Sequence, residues 1–250
     1  MKRSRYLLVE ARRSVLSLSF VAGLLIAVIA GLSGVLPELR FANQTGSLYV
    51  FNRFHDGALA VLGPMVATLP FARSYSIERN ARFSRSVLCR LRPHLYAATK
   101  LSTNALAGGL VLALPLAGAA LWARLAFPEV TDPNGNPTFF PSQVATMSPA
   151  AYMCAMIGLA FLFGATFAMV GLAASVLFRR PFVANVLPLV LYVVPALFLF
   201  EFGLAYLDPP MMWDPGNHSR TSLASLLAQY ALLGGGSVIV TLVFLRLKEE

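Results

Sequence analysis

The 250-residue chain is 57% hydrophobic and only 12% charged, with a mean hydropathy of +0.68 and a net charge of +9. Soluble domains use about 45–50% apolar residues, so this composition excludes a water-soluble globule and makes lipid the solvent for most of the chain. Nucleic-acid binding is not the reading of the positive charge, because the basic residues hug the ends of apolar runs and have no polar domain to sit on.

Taken in chain order, the uncharged runs predict six membrane-spanning helices and an all-α integral membrane bundle forming a single transmembrane domain. The first, over 14–37, follows Lys2, Arg3, Arg5, Arg12 and Arg13, and its 24 uncharged residues exceed the roughly 7–15 of a signal-peptide core, so it is expected to remain as a span. The second, over 55–72, is short. Its uncharged part, Gly57 to Ala72, holds Pro64 and Pro70 and is expected to recruit residues before Asp56, with Arg53, His55 and Asp56 at the interface. A 28-residue inner segment from Arg73 to Lys100 follows, with seven Lys or Arg residues around one acid, Glu78. The third span covers 101–123 and contains Pro115. Turn formers from Thr131 to Pro137 precede the fourth, over 150–178, where Gly164, Ala168 and Gly171 lie roughly on one side and predict close helix packing within or between subunits.

The fifth span, over 181–200, carries Pro188 and Pro195 on nearly one face and is closed by Glu201. The prolines read either as kinks that let the bundle rearrange or as the proline that membrane helices ordinarily tolerate. With Gly164, Gly171 and Glu201 they are the candidate pathway or interface residues. From Glu201 to Arg220, Phe202, Tyr206, Met211, Met212 and Trp213 mix with acids, which suits a short interfacial segment on the outer face or a loop with an aromatic belt. The sixth span covers 221–245. Continuous apolar runs of this length are helical rather than barrel strands, which alternate over about ten residues.

Charge counting sets the orientation. With the N-terminus inside, sixteen Lys or Arg residues fall on inner segments and four on outer ones, whereas seven of the eleven acids fall outside, so both termini are expected to be cytoplasmic. Neither tail nor loop reaches the roughly fifty residues of an independent domain, and no G-x-x-x-x-G-K-[ST] phosphate loop occurs. The span centres hold no ionisable residue, which argues against proton or sodium coupling and for an external engine.

Within the inner segment, a helix over 77–92 would place Glu78, Arg82, Arg85, Cys89 and Arg92 on one stripe and Ile77, Ser84, Val87, Leu88 and Leu91 on the other, with Pro93 ending it. Anionic headgroups account for the arginines but would repel Glu78. That acid therefore meets a protein partner or pairs with a neighbouring arginine.

The stretch Phe71-Ala72-Arg73-Ser74-Tyr75-Ser76-Ile77-Glu78-Arg79-Asn80, followed by the apolar piece to Pro93 and by Tyr96 and Lys100 opening the third span, resembles the membrane subunits of ATP-binding-cassette exporters of the second type. The resemblance implies a permease. Ile77, Glu78, Arg79, Asn80 and Arg82 would belong to a cytoplasmic coupling helix that contacts a separate ATPase subunit, with Glu78 as the acid that transmits the push. ATP and magnesium would bind on that partner and no cofactor on this chain. A second permease copy or paralogue would complete the transporter, among the lipids of a bacterial inner membrane. The density of arginines at 82, 85, 90 and 92 departs from the small and apolar residues expected there.

Two other readings are weaker. Gly31-Leu32-Ser33-Gly34 matches the G-x-S-G of intramembrane serine proteases, but His55, His94 and His218 all fall outside the predicted span interiors, and small residues for helix packing explain the motif better. A sensor or assembly protein built on the same bundle needs none of the transport partners. No cysteine or histidine spacing in the sequence forms a metal-ligand motif.

Overall fold

The computed structural model describes residues 3–80, 93–129, 147–178, 180–199, 201–202, 204, 207–217 and 222–247. It is all-helical, 86% helix with no strand among the described residues. Helix α1 spans Arg3–Val15, α2 Leu18–Val35, α3 Ala42–His55, α4 Leu59–Thr68, α5 Ser74–Asn80, α6 Pro93–Ala126, α7 Pro149–Leu177, α8 Val183–Phe198, α9 Leu223–Tyr230 and α10 Gly236–Leu247. Short 3-10 turns cover Leu36–Phe41, Pro209–Met212 and Pro215–Asn217, and one π turn, Ala231–Gly235, joins α9 to α10. Serines start several helices by accepting a backbone N–H: Ser17 from Phe20, Ser148 from Ala151, and Ser222 from Ser225 in a reciprocal capping box.

Four segments are long and apolar enough to cross a membrane: Leu18–Arg40, Leu95–Ala126, Pro149–Leu177 and Leu223–Phe244. This is the architecture of an integral membrane protein. The two middle segments are 56% and 61% buried, against 33% and 28% for the first and last, so α6 and α7 form the centre and α2 and α9–α10 the flanks. Leu18, Leu25, Ile29, Leu125 and Leu232 stand exposed on those flanks and at the C-terminal end of α6, as side chains dissolved in lipid do.

The other two predicted spans are shorter than expected. The run over 55–72 contains only α4, ten residues, separated from α3 by Asp56, Gly57 and Ala58. The break has a packing cause. A Cβ on Gly57 would lie 2.6 Å from the Ala30 carbonyl oxygen and 3.0 Å from that of Gly31, so the chain crosses α2 backbone to backbone at this point. Helical structure does extend upstream of Asp56, through α3, whose start is bent at Gly46, where φ is 86°. The run over 181–200 is the 16-residue α8, with both prolines inside it.

Three local expectations are corrected. The basic N-terminal tail is a helix, and the span after it starts at Leu18 rather than Ser14; α1 buries Tyr6, Glu10 and Ser14, spaced by four, against the bundle and exposes Leu7, Leu8 and Val9. The helix of the third span starts eight residues before Leu101, because Pro93 opens α6 at a first-turn position where its missing N–H costs nothing. The helix around Glu78 begins at Ser74, three residues before the expected 77, and is described as far as Asn80; the remainder of the expected 77–92 helix, residues 81–92, lies outside the described residues.

A fourth correction concerns the outer piece. Met211, Met212 and Trp213 are 1%, 0% and 2% exposed, so they plug the bundle instead of lying in the headgroups. Trp213 meets Phe163 edge-on at 5.1 Å, Phe163 meets Tyr192, and Tyr230 donates its hydroxyl to the Met212 carbonyl. Phe202 keeps the expected exposure, at 74%.

Candidate functional site

The end of the bundle where α1, α5 and the start of α6 meet gathers a set of buried charges. Helix α1 contributes Glu10 and Arg13, α5 contributes Glu78, and α6 contributes Tyr96 and Lys100, one helical turn apart. Lys100 Nζ lies 2.8 Å from Glu10 Oε2 and 2.7 Å from Glu78 Oε1, and the ammonium also sits 4.7 Å from the centre of the Phe71 ring. Arg13 Nη1 donates to Glu78 Oε1 at 2.8 Å and stands 3.8 Å from Glu10 Oε1. Tyr96 donates its hydroxyl to Glu78 Oε2 at 2.9 Å.

Among the described residues the set is closed on itself. Two carboxylates face two cations, both oxygens of Glu78 accept, and the Lys100 ammonium has two carboxylates and a ring face to meet its protons. Glu10, Glu78 and Lys100 are 3%, 3% and 1% exposed, so water does not supply what a missing partner would leave. Burial, and then the Glu10 and Glu78 carboxylates, push the neighbouring Tyr6 hydroxyl well above the usual phenol range, so it remains neutral at any physiological pH. Around this polar centre Tyr75, Ala97, Leu101, Leu172 and Val176 form a separate apolar cluster.

Glu78 therefore points into the bundle rather than outward, and its partners are Lys100 and Arg13 from other helices. Beside it, Ile77 is 49% exposed and Arg79 is half-buried, so these two present the outer surface of α5. The Asn80 side chain and all of Arg82 lie outside the described residues. Glu10 and Arg13 were not expected in this site; the signal was Glu10, the one acid of the basic tail.

The remaining candidates are scattered. Gly164 is buried where α7 crosses α6, and Gly171 is buried against α4 and α8. Pro188 is buried, Pro195 half-buried, and Glu201 exposed past the end of α8. Ser33 of the G-x-S-G stretch donates to the Ala30 carbonyl and accepts from the Ala58 N–H, while a Cβ on Gly31 would run into the Phe54 ring. His55, expected at an interface, is 2% exposed, stacked on Trp213 and hydrogen-bonded to Asp56. No family model matches the chain, nor does any curated protein or solved structure.

Proposed function

We propose that this chain is the permease subunit of an ATP-driven exporter and that α5 receives the push of a separate ATPase. The supporting observation is the ion-pair cluster itself: a short helix at the inner end is tied through Glu78 to Lys100 at the base of a central span and, through Lys100, to Glu10 on α1. A force on the exposed face of α5, at Ile77 and Arg79, would reach both helices without bending a flexible side chain, because buried paired charges hold one geometry. Glu78 acts in this reading as the inner anchor of the coupling helix and has no catalytic part.

The proposal counts six crossings, with the broken α3–α4 and the proline-bearing α8 as the second and fifth. Both termini are cytoplasmic and the membrane is the bacterial inner membrane. ATP and magnesium reside on the partner ATPase, and a second permease copy or paralogue completes the pathway. A lipophilic or amphipathic cargo suits the apolar groove of about 360 Å³ between α2, α3 and α6, lined by Leu24, Val28, Phe54, Leu114 and Trp122.

The test is copurification of this chain from nanodiscs with an ATPase subunit, followed by ATP-dependent export. Ile77→Asp and Arg79→Glu, at surface positions that cost the fold within about 0.5 kcal/mol, are expected to abolish association with the ATPase while thermal stability is retained. Intact export in both variants, or a preparation that never contains an ATPase, refutes the reading in favour of a sensor or assembly role.

A further inference from the structure

At the opposite end from the ion-pair cluster, the break between α3 and α4 meets the segment that joins α8 to α9. One ligand atom each from His55, Asp56 and Asp214 lie within 4.8 Å of one another. We propose that these three residues bind a divalent first-row transition-metal ion, which fastens the α3–α4 break to the 209–217 plug. The inference is independent of whether the chain exports anything.

Two carboxylates brought together from positions far apart in the sequence repel each other unless a cation sits between them. The nearest arginine in sequence, Arg53, holds its guanidinium over the Tyr49 ring at 4.9 Å and divides its charge between Glu38 and Asp56. His55 Nδ1 and Asp56 Oδ1 are 3.1 Å apart, the separation of two adjacent ligands on an ion with bonds of about 2.1 Å. Ligands on opposite sides of such an ion are about 4.2 Å apart, so the observed spread closes with a shift of under about 1 Å.

The imidazole is held in advance. Its ring stacks on Trp213 with centroids 4.6 Å apart and planes inclined by 13°, and Trp213 Nε1 donates to the His55 carbonyl at 3.2 Å. The buried Nε2 has no hydrogen-bond partner among the described residues, so Nδ1, on the carboxylate side, is the ring nitrogen placed to meet an ion. Gly216 N–H donates to Asp214 Oδ1 at 2.9 Å and fixes that carboxylate, as outer partners of metal ligands do. The Asp56 side chain is 42% exposed and gives the ion its way in. One imidazole with two carboxylates selects zinc, iron or manganese over calcium and magnesium, which take oxygen ligands alone, and three protein ligands leave coordination positions for water.

The chain has two tryptophans, so Trp122→Phe leaves Trp213, stacked on the ligand histidine, as the only reporter. The full chain in nanodiscs is titrated with cobalt(II), following Trp213 quenching and visible absorption, and then with zinc, calcium or magnesium as competitors. One equivalent of cobalt is expected to saturate both signals and to be displaced by zinc, with calcium and magnesium ineffective at about a hundredfold excess. Asp214→Asn and Asp56→Asn, which keep side-chain size, are each expected to weaken binding about tenfold or more with little change in thermal stability of the metal-free protein. Absence of saturable cobalt binding in the folded protein overturns the proposal. So does an affinity within about twofold of the parent in Asp214→Asn, or displacement by magnesium as effective as by zinc.

Discussion

Lys100→Met is expected to destabilise the protein by about 3–5 kcal/mol, the cost of removing one partner from a buried ion pair. The magnitude comes from what is left behind. Glu10 and Glu78 would remain 3% exposed with a thioether where the ammonium stood, and Arg13 alone to face both. That side chain is 50% exposed, so solvent screens much of its attraction and it replaces little of what Lys100 supplied. At roughly 2–4 °C per kcal/mol for a chain of this size, the midpoint of thermal unfolding in nanodiscs falls by about 10 °C. Charge balance makes a sharper test than the single variant. Adding Glu78→Gln to Lys100→Met removes the second stranded charge, keeps the oxygen that accepts from Tyr96, and leaves Glu10 with Arg13. The double variant is therefore expected to recover about 1–2 kcal/mol relative to Lys100→Met. A single variant within about 0.5 kcal/mol of the parent, or strictly additive losses in the pair, would show that water reaches the cluster and that it fastens nothing.

How much of this is legible in the sequence differs from element to element. The central helices α6 and α7 announce themselves, since uninterrupted apolar runs of more than about twenty residues have no other stable home than a lipid-spanning helix. Helix α1 does not, because its signal is not hydrophobicity but the stripe Tyr6, Glu10 and Ser14, and a stripe of one ring, one acid and one hydroxyl matches no apolar periodicity. Glu78 is conspicuous as a lone acid among arginines, yet local spacing suggests Arg82 or an external protein as its partner. Among the described residues its charged partners are Lys100, 22 residues away, and Arg13, 65 away, and Glu10 lies 90 residues from Lys100, so the cluster exists only after three helices meet.

The opposite end of the bundle repeats the same limit. Met211, Met212 and Trp213 beside acids have the composition of an interfacial segment, and only the packing of Trp213 against Phe163 and His55 distinguishes a core plug from a headgroup belt. The approach of Asp214 to His55 and Asp56 joins two distant parts of the sequence, and ligand spacing along the chain carries no trace of it. Small residues are better guides. Gly164 and Gly171 stand out because a membrane helix without a hydrophobic drive to associate relies on close backbone contact, and that contact needs residues with no side chain in the way.

Gly164→Leu carries the second large effect. At the crossing of α6 and α7, a Cβ on Gly164 would collide with the carbonyl oxygen of Gly108 and approach the Gly109 Cα to 3.1 Å, and a Cβ on Gly108 would meet the Gly164 oxygen at 2.7 Å. Both obstacles are backbone, which cannot rotate aside, so the helices must separate along the most extensive contact of the bundle. Separation also pulls Asn104 from the Ala168 carbonyl to which it donates, in surroundings without water to replace the bond. Overpacking of this kind costs about 3 kcal/mol, and the lost hydrogen bond adds about 1 kcal/mol, which lowers the thermal midpoint by roughly 8–16 °C. The control lies on the same helix. A methyl group added at Gly158 would meet nothing within 4 Å among the described residues, so Gly158→Ala is expected to be neutral or to gain up to about 1 kcal/mol from helix propensity. Equal midpoints for Gly164→Leu and Gly158→Ala would mean that α6 and α7 do not touch at Gly108 and Gly164, and the central hairpin would have to be redrawn.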